Sequence, residues 1–340
     1  MGEIVFAHGV GGLKATVHAL ALETVALENN IKVRFRTGAS GGAIAAAVAS
    51  HSAVRSKGFE WAVKRISEID EDKLYDEDYT QQVLDRIRNK WLRLPRRKGD
   101  TPLLGWYRGN GLLFALRDLV ADLGTVVSPF GIVTCTLEPS ALTNLNVAPL
   151  VALNAAAGLG QKKVRWYGAN STTSKDVSGL VDAVRASISI PFVLRPHEID
   201  GHHEVDGGVL SLTTEEVAAD ELRRTFDGPP KNGEARKIAL VISDMQSLPD
   251  VQDGLADDVF ELGIMLVRAV GTHLQGLNTR YTVNTLQPLE IGLWRITPPD
   301  RLKTKCRQFE TKAAPALFEE YCQSLRSDIR FDSLVQWINS

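Results

Sequence analysis

Hydrophobic positions near the N-terminus follow two rounds of strand, glycine-rich turn and helix. Residues 3–7 form a short apolar run that ends in the glycine-rich residues 8–12. Behind them, five positions fall on one face of a helix: Val17, Leu20, Ala21, Thr24 and Leu27. Residues 33–37 then alternate between apolar and polar side chains, a second glycine-rich turn covers 38–42, and 43–49 are almost all Ala, Val and Ile. This order predicts a βαβα unit with a parallel sheet.

Later apolar segments extend the predicted sheet. Residues 131–135 and 164–167 have the composition of strands. Residues 237–242 are apolar on both faces, which is typical of a buried central strand. A late edge strand is predicted at 289–296, and two more helices are predicted at 257–272 and 313–326.

Size and composition agree with a globular protein. The chain has 340 residues, of which 44% are hydrophobic and 24% are charged. These values exclude a disordered, collagen-like or coiled-coil chain. No segment is long enough to link two independent domains. We therefore predict one three-layer α/β domain with a mostly parallel central sheet, in which residues 3–245 form the core and residues 246–340 pack on it as an extension.

Charge and cysteine content narrow the possible partners. The formal net charge is −2, from 39 basic and 41 acidic residues, so no nucleic-acid partner is expected. The three cysteines, at positions 135, 306 and 322, form no Cys-x-x-Cys pair, which argues against a disulfide scaffold or a thiolate zinc site. Four aspartates between residues 250 and 258 miss the spacing of a calcium-binding loop. We expect neither a metal nor a cofactor.

The N-terminus lacks targeting signals. It carries an acid where a signal peptide needs basic residues, and Phe6 stands where a myristoylation signal needs Ser or Thr. No apolar run approaches the roughly 18 residues of a transmembrane helix. These features predict a cytoplasmic protein whose membrane contact, if any, is peripheral.

A basic segment has two interpretations. Residues 86–98 carry seven Lys and Arg side chains, which are interleaved with Trp91, Leu92 and Leu94 and followed by Trp106 and Tyr107. Such a mixture can bind an anionic lipid surface. Alternatively, the segment is a solvated helix whose charges are partly balanced by seven acids between residues 68 and 78.

The turn at 38–42 has the pattern of a nucleophile elbow. Gly38-x-Ser40-x-Gly42 lies between a predicted strand and a predicted helix. The turn is so tight that only glycine fits two positions before and after the serine. This geometry places the Ser40 hydroxyl at the N-terminus of the helix, where free amides favour a developing oxyanion. The alternative is an ordinary turn between a strand and a helix.

The first glycine-rich turn fits an oxyanion-hole loop best. Lys14 stands where a dinucleotide-binding fingerprint starting at Gly9 needs its third glycine, and the spacing of a phosphate-binding Walker loop is absent. Gly11 and Gly12 can instead offer bare backbone amides to a substrate carbonyl. Lys14 would then hold the loop or anchor a phosphate.

A third cluster lies downstream, at Asp206-Gly207-Gly208. The two glycines fit a sharp turn that directs the Asp206 carboxylate inward, although a plain hairpin turn would have the same pattern. A buried aspartate beside a serine has its pKa raised from about 3.9 toward the range of a useful general base.

Together, these motifs resemble the patatin-like phospholipase family. The resemblance rests on Gly11-Gly12-Leu13-Lys14, on the elbow at 38–42, on an Ala-Ser-x-x-x-Pro segment at 186–191 and on Asp206-Gly207-Gly208, in that order, and it covers roughly residues 3–245. It implies a patatin-like fold and hydrolysis of acyl esters in phospholipids or lysophospholipids through an acyl-enzyme.

The resemblance also implies a role for each motif residue. Ser40 would be the nucleophile and Asp206 its only catalytic partner, while Gly11 and Gly12 would form the oxyanion hole. The supporting positions would be Lys14, Gly38, Gly42 and Gly207.

Two alternatives stay open. The chain could be a patatin-fold module that binds lipid or regulates a partner with little catalysis. It could also be a Ser-His-Asp esterase of the α/β-hydrolase type, for which His273 is the candidate base because it follows Asp206 in the chain.

Overall fold

The computed structural model describes residues 2–70, 105–107, 109–137, 160–168, 178–225, 237–245, 259–303 and 310–340. Three features of the sequence lie outside these residues. They are the basic segment at 86–98, the aspartates at 250–258 and Cys306. The predictions attached to these features therefore rest on the sequence alone.

Ten strands are present in the described part of the chain. They are β1 (Glu3–His8), β2 (Lys32–Gly38), β3 (Gly105–Tyr107), β4 (Phe130–Leu137), β5 (Gly160–Tyr167), β6 (Phe192–Leu194), β7 (His197–Ile199), β8 (His202–Asp206), β9 (Ile238–Ser243) and β10 (Gly292–Ile296). Eight of them form one sheet in the order β10-β9-β1-β2-β4-β8-β7, with β5 paired to β4. β3 and β6 form a separate parallel pair.

The sheet is parallel on one side and antiparallel on the other. The pairs from β10 to β4 are all parallel, whereas β4 pairs antiparallel with both β5 and β8, and β7 with β8. β5 follows one edge of β4. On the other edge, β2 pairs with the first half of β4 and β8 with the second half. The carboxyl end of β2 and that of β8 therefore approach each other next to β4.

Eleven α-helices accompany these strands in the described residues. They are α1 (Gly12–Glu28), α2 (Gly41–Ala49), α3 (Ser52–Lys57), α4 (Phe59–Ser67), α5 (Asn110–Leu123), α6 (Ser178–Ser187), α7 (Glu215–Thr225), α8 (Val259–Leu286), α9 (Asp300–Lys303), α10 (Ala314–Arg326) and α11 (Ile329–Asn339). Short 3₁₀ turns follow β8 and α8, and a third one directly precedes α10.

Helices cover both faces of the central sheet. Along β1, Ile4 and Phe6 pack into a core with α1, α2 and α10. The intervening residues Val5 and Ala7 pack on the opposite face, against α7. This alternation follows from the two-residue period of a strand and produces the predicted three layers. The α/β fold class is therefore confirmed.

Most predicted elements are present at nearly the predicted positions. The strands at 3–7, 33–37, 131–135, 164–167 and 237–242 correspond to β1, β2, β4, β5 and β9. β9 lies between β1 and β10, with every residue buried, and β10 pairs only with β9 in the described sheet. The helix predicted at 257–272 is longer than expected, because α8 continues to Leu286.

The C-terminal residues share the sheet and the core of the N-terminal part. β10 extends the sheet beside β9, and α10 packs along α1. Leu317 and Phe318 of α10 belong to the same buried cluster as Ile4 and Phe6. These contacts support the predicted arrangement of a core at 3–245 with an extension at 246–340, which we retain as a proposal.

Among the described helices, none combines the length and the apolar character needed to cross a bilayer.

Candidate active site

The turn between β2 and α2 places Ser40 in a strained backbone conformation. Ser40 has φ 54° and ψ −128°, in a region that residues other than glycine rarely adopt. Its neighbours must be glycines for steric reasons. A Cβ atom on Gly38 would lie 2.2 Å from the carbonyl oxygen of Gly42, and one on Gly42 would lie 2.4 Å from that of His8. The turn therefore has the sharpness that a nucleophile elbow requires.

Asp206 lies at the end of β8 and faces Ser40. Its Oδ1 atom accepts a hydrogen bond of 2.7 Å from the backbone amide of Gly208. The Ser40 hydroxyl is close enough to this carboxyl group to lower its pKa. Gly207, which lies between Asp206 and Gly208, must be a glycine, because a Cβ atom there would lie 2.3 Å from the carbonyl oxygen of Val133. The structure thus brings together two residues that are far apart in the sequence.

Burial controls the proton affinity of Asp206. The side chain is 1% exposed, and removal from water raises the pKa of its carboxyl group to about 7. The hydrogen bond from the Gly208 amide and the nearby Ser40 hydroxyl both lower this pKa, but they do not cancel the effect of burial. A carboxyl group with this pKa can both accept and release a proton near neutral pH, as a general base must.

Two helix N-termini meet beside Ser40. Gly12 begins α1 and Gly41 begins α2, so their amides have no carbonyl acceptor one turn earlier in the helix. The two residues are in close contact, since a Cβ atom on Gly41 would lie 1.9 Å from the carbonyl oxygen of Gly12. The Thr16 hydroxyl fixes this approach by donating a hydrogen bond of 2.8 Å to the Gly41 carbonyl. The positive ends of both helix dipoles therefore converge at the serine.

Gly11 and Lys14, at the start of α1, approach later parts of the chain. Gly11 precedes α1 with φ 142°, and a Cβ atom at this position would lie 3.0 Å from the Cβ atom of Met245. The Lys14 ammonium donates a hydrogen bond of 2.7 Å to the backbone carbonyl of Lys303. This contact ties the glycine loop to the C-terminal part of the chain, which agrees with the loop-holding role considered for Lys14.

An apolar pocket opens at Ser40. Gly12, Ser40 and Gly41 line its polar end. Apart from Thr16 and Thr311, the rest of the wall is aliphatic. Most of it comes from α2, α4, α5 and the segment after α6, with Ile44, Ile66, Leu112, Leu116, Ile188 and Leu194 among its members. A hydroxyl group with free amides at one end of an aliphatic pocket matches an ester group with an attached acyl chain.

Four described histidines have partners other than the Ser40–Asp206 pair. His8 contacts Glu23, His18 contacts Ser243, His51 contacts the Ala47 carbonyl, and His197 contacts Asp182. The side chain of His273 lies outside the described residues. In the part of the chain that the structure describes, no three His, Cys, Asp or Glu side chains are grouped to hold a metal ion.

Some residues of the site were missed by the sequence analysis. Leu112, Leu116 and Leu119 recur at helical spacing in α5, and this period could have identified a buried face. Thr16 gave no signal, because a threonine inside a helix has no pattern of its own. Ser187 belongs to the Ala-Ser-x-x-x-Pro segment, but its contact with Ser40 joins residues that are 147 positions apart.

Comparisons with known proteins support one family. A family model described as patatin-like phospholipase matches residues 9–219 of the chain. The match includes both glycine-rich turns, Ser40 and Asp206. A search of curated proteins finds no match.

Proposed function

Because the chain belongs to the patatin-like phospholipase family, we propose that it hydrolyses the acyl ester bonds of phospholipids or lysophospholipids through a Ser40–Asp206 dyad. Members of this family are typically lipid acyl hydrolases. The observation that carries it is that the Ser40 hydroxyl, at the polar end of an aliphatic pocket, lies close enough to the buried Asp206 carboxyl group to affect its pKa.

The first half of the proposed reaction forms an acyl-enzyme. The Ser40 oxygen attacks the ester carbonyl carbon, and its proton passes to the Asp206 carboxylate. The carbonyl oxygen becomes negatively charged and is stabilised by the backbone amides at the start of α1 and α2, from the loop that contains Gly11 and Gly12 and from Gly41. Asp206 then gives the proton to the departing alcohol, and the acyl group remains on Ser40.

The second half releases the fatty acid. A water molecule attacks the acyl-enzyme and gives a proton to Asp206, which returns it to the Ser40 oxygen as the ester bond breaks. Asp206 thus alternates between base and acid, for which a pKa near the working pH is suitable. The acyl chain would lie against Ile44 of α2 and Leu116 of α5, both of which line the pocket.

Contact with a membrane surface is a further part of the proposal. The substrate would reside in a bilayer, and the basic segment at 86–98 contains the aromatic and aliphatic side chains of an interfacial element. This part rests on the sequence alone. The Ser40–Asp206 assignment does not depend on it.

A fluorophosphonate probe tests the proposed function, because it reacts with activated serine nucleophiles. The wild-type protein should be labelled at Ser40 and should release fatty acid from a phospholipid and lysophospholipid panel read by mass spectrometry. Ser40→Ala should lose both activities. Ser211→Ala is the matched control, since Ser211 is buried and its hydroxyl has no hydrogen-bond partner among the described residues.

Two outcomes would overturn the proposal in different ways. A folded wild-type protein that binds lipid vesicles but is neither labelled nor active would be a lipid-binding module. A labelled protein that loses activity on substitution of a single histidine, His273 for example, would use a triad.

A further inference from the structure

We infer that Ser187 is a positioning residue, which holds the Ser40 backbone in its strained conformation and keeps the nucleophile within reach of Asp206. This inference rests on the proposed function of Ser40 and adds a residue to which no role has been assigned. Ser187 ends α6 and is fully buried.

The Ser187 hydroxyl makes two hydrogen bonds with fixed directions. Its oxygen accepts a bond of 3.0 Å from the backbone amide of Ser40. Its own proton is donated over 2.7 Å to the backbone carbonyl of Val133 in β4. Because the proton is committed to Val133, the oxygen lone pairs remain available for the Ser40 amide. The hydroxyl therefore links backbone groups from two different elements.

The Ser40 amide needs this partner. Ser40 precedes α2, so its N–H group lies outside the hydrogen-bond ladder of the helix. Its positive φ is a conformation that persists only where the surroundings impose it. A buried backbone amide without an acceptor is also costly. The hydrogen bond to Ser187 meets both needs at the residue that carries the proposed nucleophile.

Val133 connects the same hydroxyl to the acid. The carbonyl oxygen of Val133 lies directly against Gly207, where a Cβ atom would come within 2.3 Å of it. The next residue, Thr134, is paired with Asp206 in the β4–β8 ladder. Ser187 thus bridges the turn that presents Ser40 and the strand that positions Asp206. Removal of its hydroxyl should loosen the distance between the two proposed catalytic groups.

The position of Ser187 also restricts the oxyanion hole. The Ser40 amide points to Ser187 and cannot point to a substrate oxygen at the same time. The amides of Gly41 and of the loop before α1 remain as donors at this site. Ser187 therefore acts through the backbone of Ser40 and has no direct contact with the ester in this scheme.

The test compares Ser187→Ala with Ser211→Ala, using a soluble acyl ester and counting active sites by fluorophosphonate titration. We expect Ser187→Ala to lower kcat per titrated site by about 10–100-fold, because small misplacements of reacting groups have effects of this size. KM should stay within about threefold, since the acyl pocket is unchanged. The rising limb of the pH profile should move to higher pH, because the Ser40 hydroxyl, which lowers the pKa of Asp206, is then held less closely to it.

A purely structural role predicts a different result. Ser187→Ala would then lower the unfolding temperature without any change in kcat per titrated site, and that outcome would overturn the inference. If Ser187→Ala does not fold, Ser187→Cys is tested in its place. This variant keeps the side-chain size but substitutes a weakly hydrogen-bonding thiol. Its kcat should be lower than that of the wild type, by less than about tenfold. A wild-type kcat in Ser187→Cys would overturn the inference, whereas an inactive, unlabelled wild-type protein would contradict the proposed function itself.

Discussion

Two carboxylates on strand β8 lie two residues apart and have opposite electrostatic surroundings. Glu204 and Asp206 are both buried and point to the same face of the sheet, as alternate residues of a strand do. Burial tends to raise the pKa of each, but hydrogen bonds from Arg165 and Thr134 and the nearby cations, with Lys163 among them, hold the pKa of Glu204 below its usual value. Among the described residues, the groups that lower the pKa of Asp206 are the Gly208 amide and the Ser40 hydroxyl, and burial raises this pKa to about 7.

The difference shows what separates a structural carboxylate from a candidate base. Glu204 forms an ion pair with Arg165, which favours the charged form of its carboxyl group and lowers its pKa. The pKa of Asp206 lies near neutral pH, because no cation in the described part of the chain compensates for its burial. The same strand therefore contains one group that fixes the register of β4, β5 and β8 and another that can transfer a proton.

The largest expected effect concerns activity. Asp206→Asn should lower kcat for ester hydrolysis by roughly 10³–10⁶-fold, the range observed when a nucleophile or its base is removed. Glu204→Gln is the matched control, because it makes the same chemical change two residues earlier. We expect its kcat per titrated active site to stay within about threefold of the wild type. Equal losses of kcat in the two variants would show that the different surroundings of Glu204 and Asp206 do not determine their roles in catalysis.

A smaller effect is expected on stability, where Glu204→Gln should be the more damaging of the two variants. Glu204→Gln leaves the buried Arg165 guanidinium without its carboxylate, which should lower the free energy of unfolding by about 3–5 kcal/mol in urea denaturation. The double variant Glu204→Gln/Arg165→Met should recover part of this loss, since the unpaired charge is gone. A change below about 1 kcal/mol in the single variant would contradict a structural role for the pair.

How far the sequence could predict this site depends on where the information lies. Ser40 and Asp206 are identified by glycines close to them in the chain, because the turns need glycine for steric reasons that are purely local. β8 was not predicted, since its residues His202–Asp206 are mostly polar and resemble a loop. Buried Glu204 is neutralised by Arg165, 39 positions earlier, which allows a strand of that composition to lie in the sheet. Such partners have no local pattern.

The same reasoning explains the missed parts of the pocket. Ile66 of α4 and Leu116 of α5 belong to helices that the sequence analysis did not predict. They face Ser40 only after α4 packs against α1 and α10 and α5 packs against α6. By contrast, β1 and β9 were predicted because each is an unbroken apolar run bounded by polar residues or glycine. Elements with a local signal were therefore predictable, and contacts between distant elements were not.

The smallest expected effect is a pH dependence of stability. The pKa of Asp206 is higher in the native state than its ordinary value of 3.8, so the native protein retains a proton that the unfolded chain releases between pH 4 and 7. Its unfolding free energy should fall as pH rises through this interval, by at most about 4 kcal/mol. Asp206→Asn should remove this fall and be more stable than the wild type at pH 8.

His18 adds a pH dependence of its own, so the quantity to measure is the difference between the unfolding free energies of Asp206→Asn and the wild type. Burial lowers the pKa of His18 to about 3, so stability from this residue is lost as pH decreases below 6.5. The two groups act in opposite directions over overlapping pH ranges. The unfolding free energy of Asp206→Asn minus that of the wild type, measured in urea from pH 4 to 8, cancels the contribution of His18. A flat difference would contradict the raised pKa of Asp206.

The most direct test of the dyad is the pH dependence of the rate at which a fluorophosphonate labels Ser40. Ionised Asp206 is the proposed base, so the second-order rate should increase with pH and have its midpoint near 7. The same midpoint is expected for His273→Gln and for Glu204→Gln, which leave Asp206 in place. A midpoint near 4, the value of an unperturbed aspartate, or loss of labelling in a single histidine variant would contradict the account.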